Sequence, residues 1–356
     1  MAAESQLRQL DGLRLSAADL CVETVVPDQG ELLPCGVVAA DAGLVSLALA
    51  PFHLELLHVS DNEGNVYLTE FFPLTTLADD LRGIFQSNPV LKAFVTRLGC
   101  EWPDLTDLWE RADRNQPPMP RDIRLVADTI REIAEWAVAM ELANKAPVSP
   151  LSRLVLHDGM LRSIMLRNEV ISDRLPRWWH DIAWKSNGVA IAGVGKSSEI
   201  WDRLALPLSM DSRVRGQPFC YIRIPKEVEE KLSGRMGTRR LGFGHLVLLK
   251  TRSDELAQFL PVDLPEWIIS DSAATQKVLA SILQVSVSTF PQPGYPAPLQ
   301  SAHESAHLSE FDAKILRDIL VSALSRLVPP TEIEQTLRYW SFQQSKWRKA
   351  GRIGRA

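Results

Sequence analysis

An α/β fold built on a mixed sheet is predicted by three features of the chain. Apolar segments with tight connections come early, one long helical pattern follows, and short apolar strands then alternate with helices. That order suits helices packed on a sheet with both parallel and antiparallel neighbours.

From Cys35 to Ser60 the chain is strongly apolar, in the runs 36–43, 44–50 and 53–59; a turn at 61–65 and the segment 66–72 follow. These segments read as three strands of an antiparallel meander. Residues 1–30 read as a short helix and a polar lead-in. Residues 76–113 carry helical patterns broken near Asn88-Pro89 and Trp102-Pro103, and 115–120 is a proline-rich break. The clearest helix is 121–144, where Ile123, Val126, Ile130, Ile133, Ala137 and Met140 recur at helical spacing. Leu154 to His157 is a short buried strand ending at Asp158-Gly159, with a helical region to about Lys185. Residues 188–194, 219–224, 243–249 and 256–262 read as further strands, 272–289 as an amphipathic helix, and 206–217 and 231–241 as flexible surface insertions. The stretch Pro293 to His307 reads as a stiff extended arm that presents Tyr295, then a helix through about Leu327 carrying His303 in its first turns; a last helix starts near Pro330.

The 356 residues carry a formal net charge of −5, with 46% hydrophobic and 23% charged residues. No global basic field attracts nucleic acid, so polyanion binding requires a local patch. No apolar run approaches the roughly 20 residues of a membrane span, and 1–11 carry no signal-peptide core. The four cysteines, Cys21, Cys35, Cys100 and Cys220, are scattered without metal-ligand spacing and read as reduced packing residues. A cytoplasmic chain with no membrane partner is expected.

Asp41 and Asp158 each close an apolar run. A carboxylate on a buried strand is costly unless paired or bound to a cation, and strand ends in α/β sheets are where ligands bind; a solvated turn aspartate is the alternative at both. His157 points to the opposite face from Asp158. The 121–144 helix offers Glu132, Glu135 and Glu141, with Glu135 beside Trp136 at the edge of the apolar stripe. Carboxylates gathered in this way suit Mg2+ or Mn2+, which take hard oxygen ligands. Tyr295 and His303 fit either a site or simple packing; His307, one turn on, is the weaker candidate. Gly193 to Ser197 follows a strand and precedes a helix, but a phosphate-binding loop needs glycine where Ala190 stands. Nucleotide binding is therefore disfavoured, although Lys196 can still meet a phosphate. Residues 338–355 interleave Arg338, Lys346, Arg348, Lys349, Arg352 and Arg355 with Trp340, Phe342 and Trp347; a nucleic-acid contact, a partner-docking tail and a solvated helix end all fit.

Four blocks together resemble the NurA nuclease family: 37–43 around Asp41, 154–161 around Asp158, 193–197 around Lys196, and 294–303 from Gly294 to His303, the most specific. The resemblance runs from about residue 35 to 320. It implies an RNase H-like mixed sheet flanked by helices, with helical insertions, in a nuclease domain over 1–330, followed by a basic helix and tail over 331–356. It implies a DNA nuclease dependent on Mn2+ or Mg2+, with Asp41, Asp158 and a helix glutamate as metal ligands. Glu135 is favoured for that glutamate, because the loop 144–152 would push the acid upstream; Glu141 is second. Tyr295 and His303 match the family's tyrosine and histidine, His303 as a metal ligand or a proton-transfer group. The sequence departs from the family at Ala42, where glycine is usual, and at Gly43, where a small polar residue is common. A homodimer and a HerA-type hexameric ATPase partner are implied, in DNA-end processing and repair or in anti-phage defence. The alternative is a non-catalytic, nuclease-like adaptor docked on an ATPase ring.

Overall fold

The structure is a computed structural model that describes residues 17, 20–25, 36–49, 52–73, 78–108, 120–145, 153–196, 199–233, 242–253, 259–287, 289–290, 292–308, 310–326 and 335. Among the described residues nine strands lie in one sheet: β1 Val22–Thr24, β2 Gly36–Leu49, β3 Phe52–Asp61, β4 Val66–Pro73, β5 Arg153–Asp158, β6 Val189–Val194, β7 Cys220–Arg223, β8 Gly244–Lys250 and β9 Phe259–Pro265. Their spatial order is β1-β7-β8-β9-β6-β5-β2-β3-β4. The helices are α1 Ala78–Ser87, α2 Pro89–Leu98, α3 Trp102–Thr106, α4 Pro120–Asn144, α5 Glu169–Trp178, α6 Glu199–Met210, α7 Ser212–Arg215, α8 Lys226–Ser233, α9 Glu266–Ile269, α10 Ser272–Gln284, α11 Ala297–Ala306 and α12 Glu310–Ser325. A 3-10 turn, Ile164–Arg167, precedes α5 and a π-helical stretch, Trp179–Ser186, extends it.

The expected meander is present: β2, β3 and β4 pair antiparallel, and β5 and β6 add to β2 in parallel. This five-strand unit is the mixed sheet that an RNase H-like core requires, and β9, β8, β7 and β1 extend it with antiparallel pairs.

Two apolar layers hold the sheet. On one face Ala40, Ala42, Val155 and Ile191 pack against Ile133, Trp136, Ala137 and Met140 of α4. On the other Ala39, Leu154, Leu156 and Ala192 meet Val278 and Ile282 of α10 and Leu299 and Ala302 of α11. Period-2 alternation along β2 and β5 makes this division, and each fully buried Ile or Met stabilises by roughly 1.5–3 kcal/mol.

Several expectations are overturned. The lead-in contains a strand: Val22–Thr24 pairs with β7 at the sheet edge. The segment 206–217 is helical rather than a flexible loop, with Leu208 and Val214 fully buried; Pro207 is tolerated inside α6, and the Asp211 side chain caps α7 by accepting from the Arg213 N–H. Asp41 lies within β2 and not at a turn, because the ladder with β3 runs unbroken through Ala42 and Gly43. The proline arm is a compact turn. Gly294, at φ +92°, bends it back so that the Gly294 N–H donates to Ser286 O and the Ala297 N–H to Val285 O. The helix expected through Leu327 is two helices, α11 and α12, broken at His307. Cys100 and Cys220 pack in the interior, while Cys21 is exposed. Apart from residue 335, the expected helix near Pro330 and the basic tail lie outside the described residues, as do 234–241. No described helix is long and apolar enough to cross a membrane.

Candidate metal centre

The parallel register of β2 and β5 sets Val37 beside Leu154 and Ala39 beside Leu156. One further step in that register brings Asp41 level with Asp158, side chains on the same face, at the end of the β2–β5 pairing. Both are shielded, with side chains 8% and 15% exposed.

Helix α11 brings the third group. His303 Nδ1 lies 2.6 Å from Asp41 Oδ2, and the other Asp41 oxygen accepts from the Ala42 N–H at 2.8 Å. Donation from Nδ1 to the carboxylate leaves Nε2 with its lone pair. Asp41, Asp158 and His303 each offer a ligand atom within 4.8 Å of the others. That spread is roughly twice a metal–oxygen bond of about 2.1 Å, so these side chains could hold a divalent metal. Tyr295, at the end of the turn before α11, donates its hydroxyl to Asp158 Oδ1 at 3.2 Å, and Lys196 Nζ reaches Asp158 Oδ2 at 2.8 Å. Burial, followed by the Asp158 charge, raises the Tyr295 hydroxyl well above the ordinary tyrosine range and keeps it a donor.

Glu135 enters from the α4 side. It lines a pocket of about 250 Å3 with Asp41, Arg131, Asp158 and Lys196, but it is not one of the three groups in the 4.8 Å cluster. Burial pushes its carboxyl well above the usual range; Asp41 and Asp158 add to the shift and Arg131 opposes it. Arg131 Nε lies 3.8 Å from Glu135 Oε1. Glu141, the second choice for the helix acid, is paired with Arg97 at 2.6 Å and Lys145 at 3.5 Å, apart from this pocket. His307 caps α11 with its ring 6.0 Å from that of His303 and is outside the cluster. His157 faces the other way, 4.3 Å from the Trp136 ring, and burial lowers it to about 4. Lys196 precedes α6 rather than opening it, and its ammonium is turned to Asp158.

Two of the site's supports, Arg131 and Arg162, stand outside the residues that the sequence singles out. Arg131 is one turn before Glu135, a spacing that could have found it. Gly43 and Gly193 allow close approach. A Cβ on Gly43 would meet Ala306 O at 2.0 Å, and one on Gly193 would meet Leu161 N at 2.6 Å and Gly159 O at 2.7 Å, in the turn after Asp158. Arg162 anchors that turn by a bidentate pair to the fully buried Asp263, at 2.9 and 3.1 Å, and by a contact to Glu229. No sequence signal links residues 101 positions apart.

No protein-family model matches the chain, and no curated protein does. Solved structures do. The similar structures include NurA nucleases. It is similar to the NurA nuclease from Sulfolobus solfataricus at 13% identity and TM-score 0.45, over 92% of this chain and 95% of that one. Similarity to a NurA structure with manganese is at 11% identity and TM-score 0.36, over 92% of this chain and 97% of that one. A further NurA structure gives 12% and 0.36, over 91% and 96%.

Proposed function

We propose that the chain is a NurA-type, metal-dependent deoxyribonuclease. The observation that carries this reading is the meeting of Asp41, Asp158 and His303 within 4.8 Å, with Lys196 and Arg131 beside them. Two carboxylates and an imidazole fit a divalent ion, and this mixed set suits Mn2+ at least as well as Mg2+. Asp41, Asp158 and His303 would hold it, and Glu135 would join them on losing its proton. A divalent ion there supplies Lewis-acid activation of water and of the scissile phosphate.

The chain's own groups do the rest. Arg131 and Lys196 carry positive charge on two sides of the carboxylates and bind the phosphate. Tyr295 fixes the rotamer of Asp158, and Asp41 fixes the tautomer of His303. A His303 nitrogen not engaged elsewhere is placed to take up or return a proton.

The motif resemblance also supports a homodimer working in the cytoplasm with a HerA-type hexameric ATPase, in DNA repair or anti-phage defence, with 331–356 as a basic tail. The test is cleavage of labelled linear and circular DNA with Mn2+, with and without the co-purifying ATPase. Cleavage that stops on chelation is expected. Intact substrate under every divalent ion, with the ATPase present, would overturn the nuclease and favour the non-catalytic adaptor.

A further inference from the structure

A second hollow opens on the far side of Lys196 and Tyr295. It has a volume of about 270 Å3, and its walls include Lys196, Trp201, Arg252, Phe259, Gln292 and Tyr295. Lys196 and Tyr295 both hydrogen-bond Asp158, so they form a wall common to this hollow and the carboxylates. The hollow begins where the candidate metal centre ends.

Its chemistry is of another kind. None of the described residues lining it is acidic, and two are cations. The Trp201 ring is held against the buried Phe259, with centroids 5.3 Å apart and planes at 46°. Cations beside a fixed aromatic face are what a single nucleic-acid strand binds, phosphate to charge and base to ring. The volume falls just below the roughly 300–1,000 Å3 of small-molecule pockets, which suits one nucleotide rather than a stretch of strand. A base within a duplex is stacked on both faces, so an unpaired base alone can lie on Trp201.

We propose that this hollow is a nucleotide subsite. It takes one unpaired nucleotide of the substrate strand, adjacent to the bond at the carboxylates, with phosphate on Lys196 and Arg252 and the base against Trp201. The proposal rests on the nuclease reading and adds to it where the neighbouring nucleotide sits and that it is unpaired.

The experiment is fluorescence anisotropy with the full chain in chelator, using labelled oligothymidine and a labelled blunt duplex. Trp201→Ala should weaken oligothymidine binding about tenfold or more, the range for removing one base stack, and Trp201→Phe should restore most of it. Arg252→Ala should weaken binding and reduce the salt slope by about 0.7, the value for one single-strand phosphate. Blunt-duplex binding should not change. If Trp201→Ala fails to fold, judged by circular dichroism, the exposed Arg252 carries the test. Wild-type oligothymidine affinity in the folded variants would overturn the subsite, as would equal losses on both DNA forms, which would mark a general phosphate patch. Cleavage with Mn2+ separates the two readings. A chain that cuts DNA while its variants bind normally loses the subsite alone; a chain that neither binds nor cuts loses both.

Discussion

Gly43 and Ala306 touch backbone to backbone: a Cβ on Gly43 would stand 2.0 Å from the Ala306 carbonyl oxygen. Helix α11 therefore crosses β2 at close range, two residues beyond Asp41, and this seats His303 on the Asp41 carboxylate. Gly43→Ala should push α11 off the sheet. The expected cost is about 1–3 kcal/mol, as for other overpacked sites, with weaker Mn2+ binding and slower cleavage. Urea denaturation and a Mn2+ titration check this.

Arg131 and Lys196 flank the carboxylates on separate elements, so their removal should read differently. Arg131→Ala should lower kcat about a hundredfold, the scale of removing one charge-stabilising donor. Lys196→Ala should mainly raise KM for DNA, because a phosphate partner that serves ground and transition states alike contributes to binding rather than to turnover. Steady-state cleavage of a labelled oligonucleotide separates the two.

His157 couples stability to acid. Its ring is buried on Trp136, and burial lowers it from 6.5 to about 4, with the Asp158 charge opposing the shift. The folded chain then binds fewer protons than the unfolded chain between those values. The stability associated with neutral His157 is present above pH 6.5 and is lost as pH falls toward 4. At about 1.4 kcal/mol per pH unit the loss approaches about 3 kcal/mol. His157→Phe should keep the stacking and remove that slope, as measured by urea melts from about pH 7.5 to about pH 4.

Glu135 acts in the opposite direction. Its carboxyl is raised, chiefly by burial, so the stability it contributes is full below about pH 4.3 and is lost as pH rises through its folded value. In chelator, Glu135→Gln should be more stable than the parent at about pH 8 and nearly equal to it at about pH 4, by thermal melts. The same substitution should slow cleavage. Equal melting at both values would show that the carboxyl is not held up.

The sequence was most legible where one pattern ran long. Helix α4 and β5 lie within a residue or two of expectation because burial imposes one period on each, and the meander is present with the runs 36–43 and 44–50 joined in one strand. Asp41 and Asp158 were legible as carboxylates closing apolar runs, although β2 proved to continue through Asp41. The arm before α11 misled, since its prolines suggest extension while the positive φ of Gly294 turns it back. Segment 206–217 misled because a proline is unfavourable inside a helix, whereas burial of Leu208 and Val214 overrides Pro207. Arg162–Asp263 and Gly43–Ala306 were not legible, because each is a tertiary contact with no local period.

Mn2+ binding to the full chain, followed by electron paramagnetic resonance of the free ion, tests the central claim most directly. Wild type should remove Mn2+ from solution. Asp41→Asn and Asp158→Asn should each bind it at least about tenfold more weakly, the smaller end of losses seen when metal-site partners are removed, while melting at an unchanged or higher temperature. Mn2+ affinity equal to wild type in the Asp41→Asn, Asp158→Asn double variant would contradict the account.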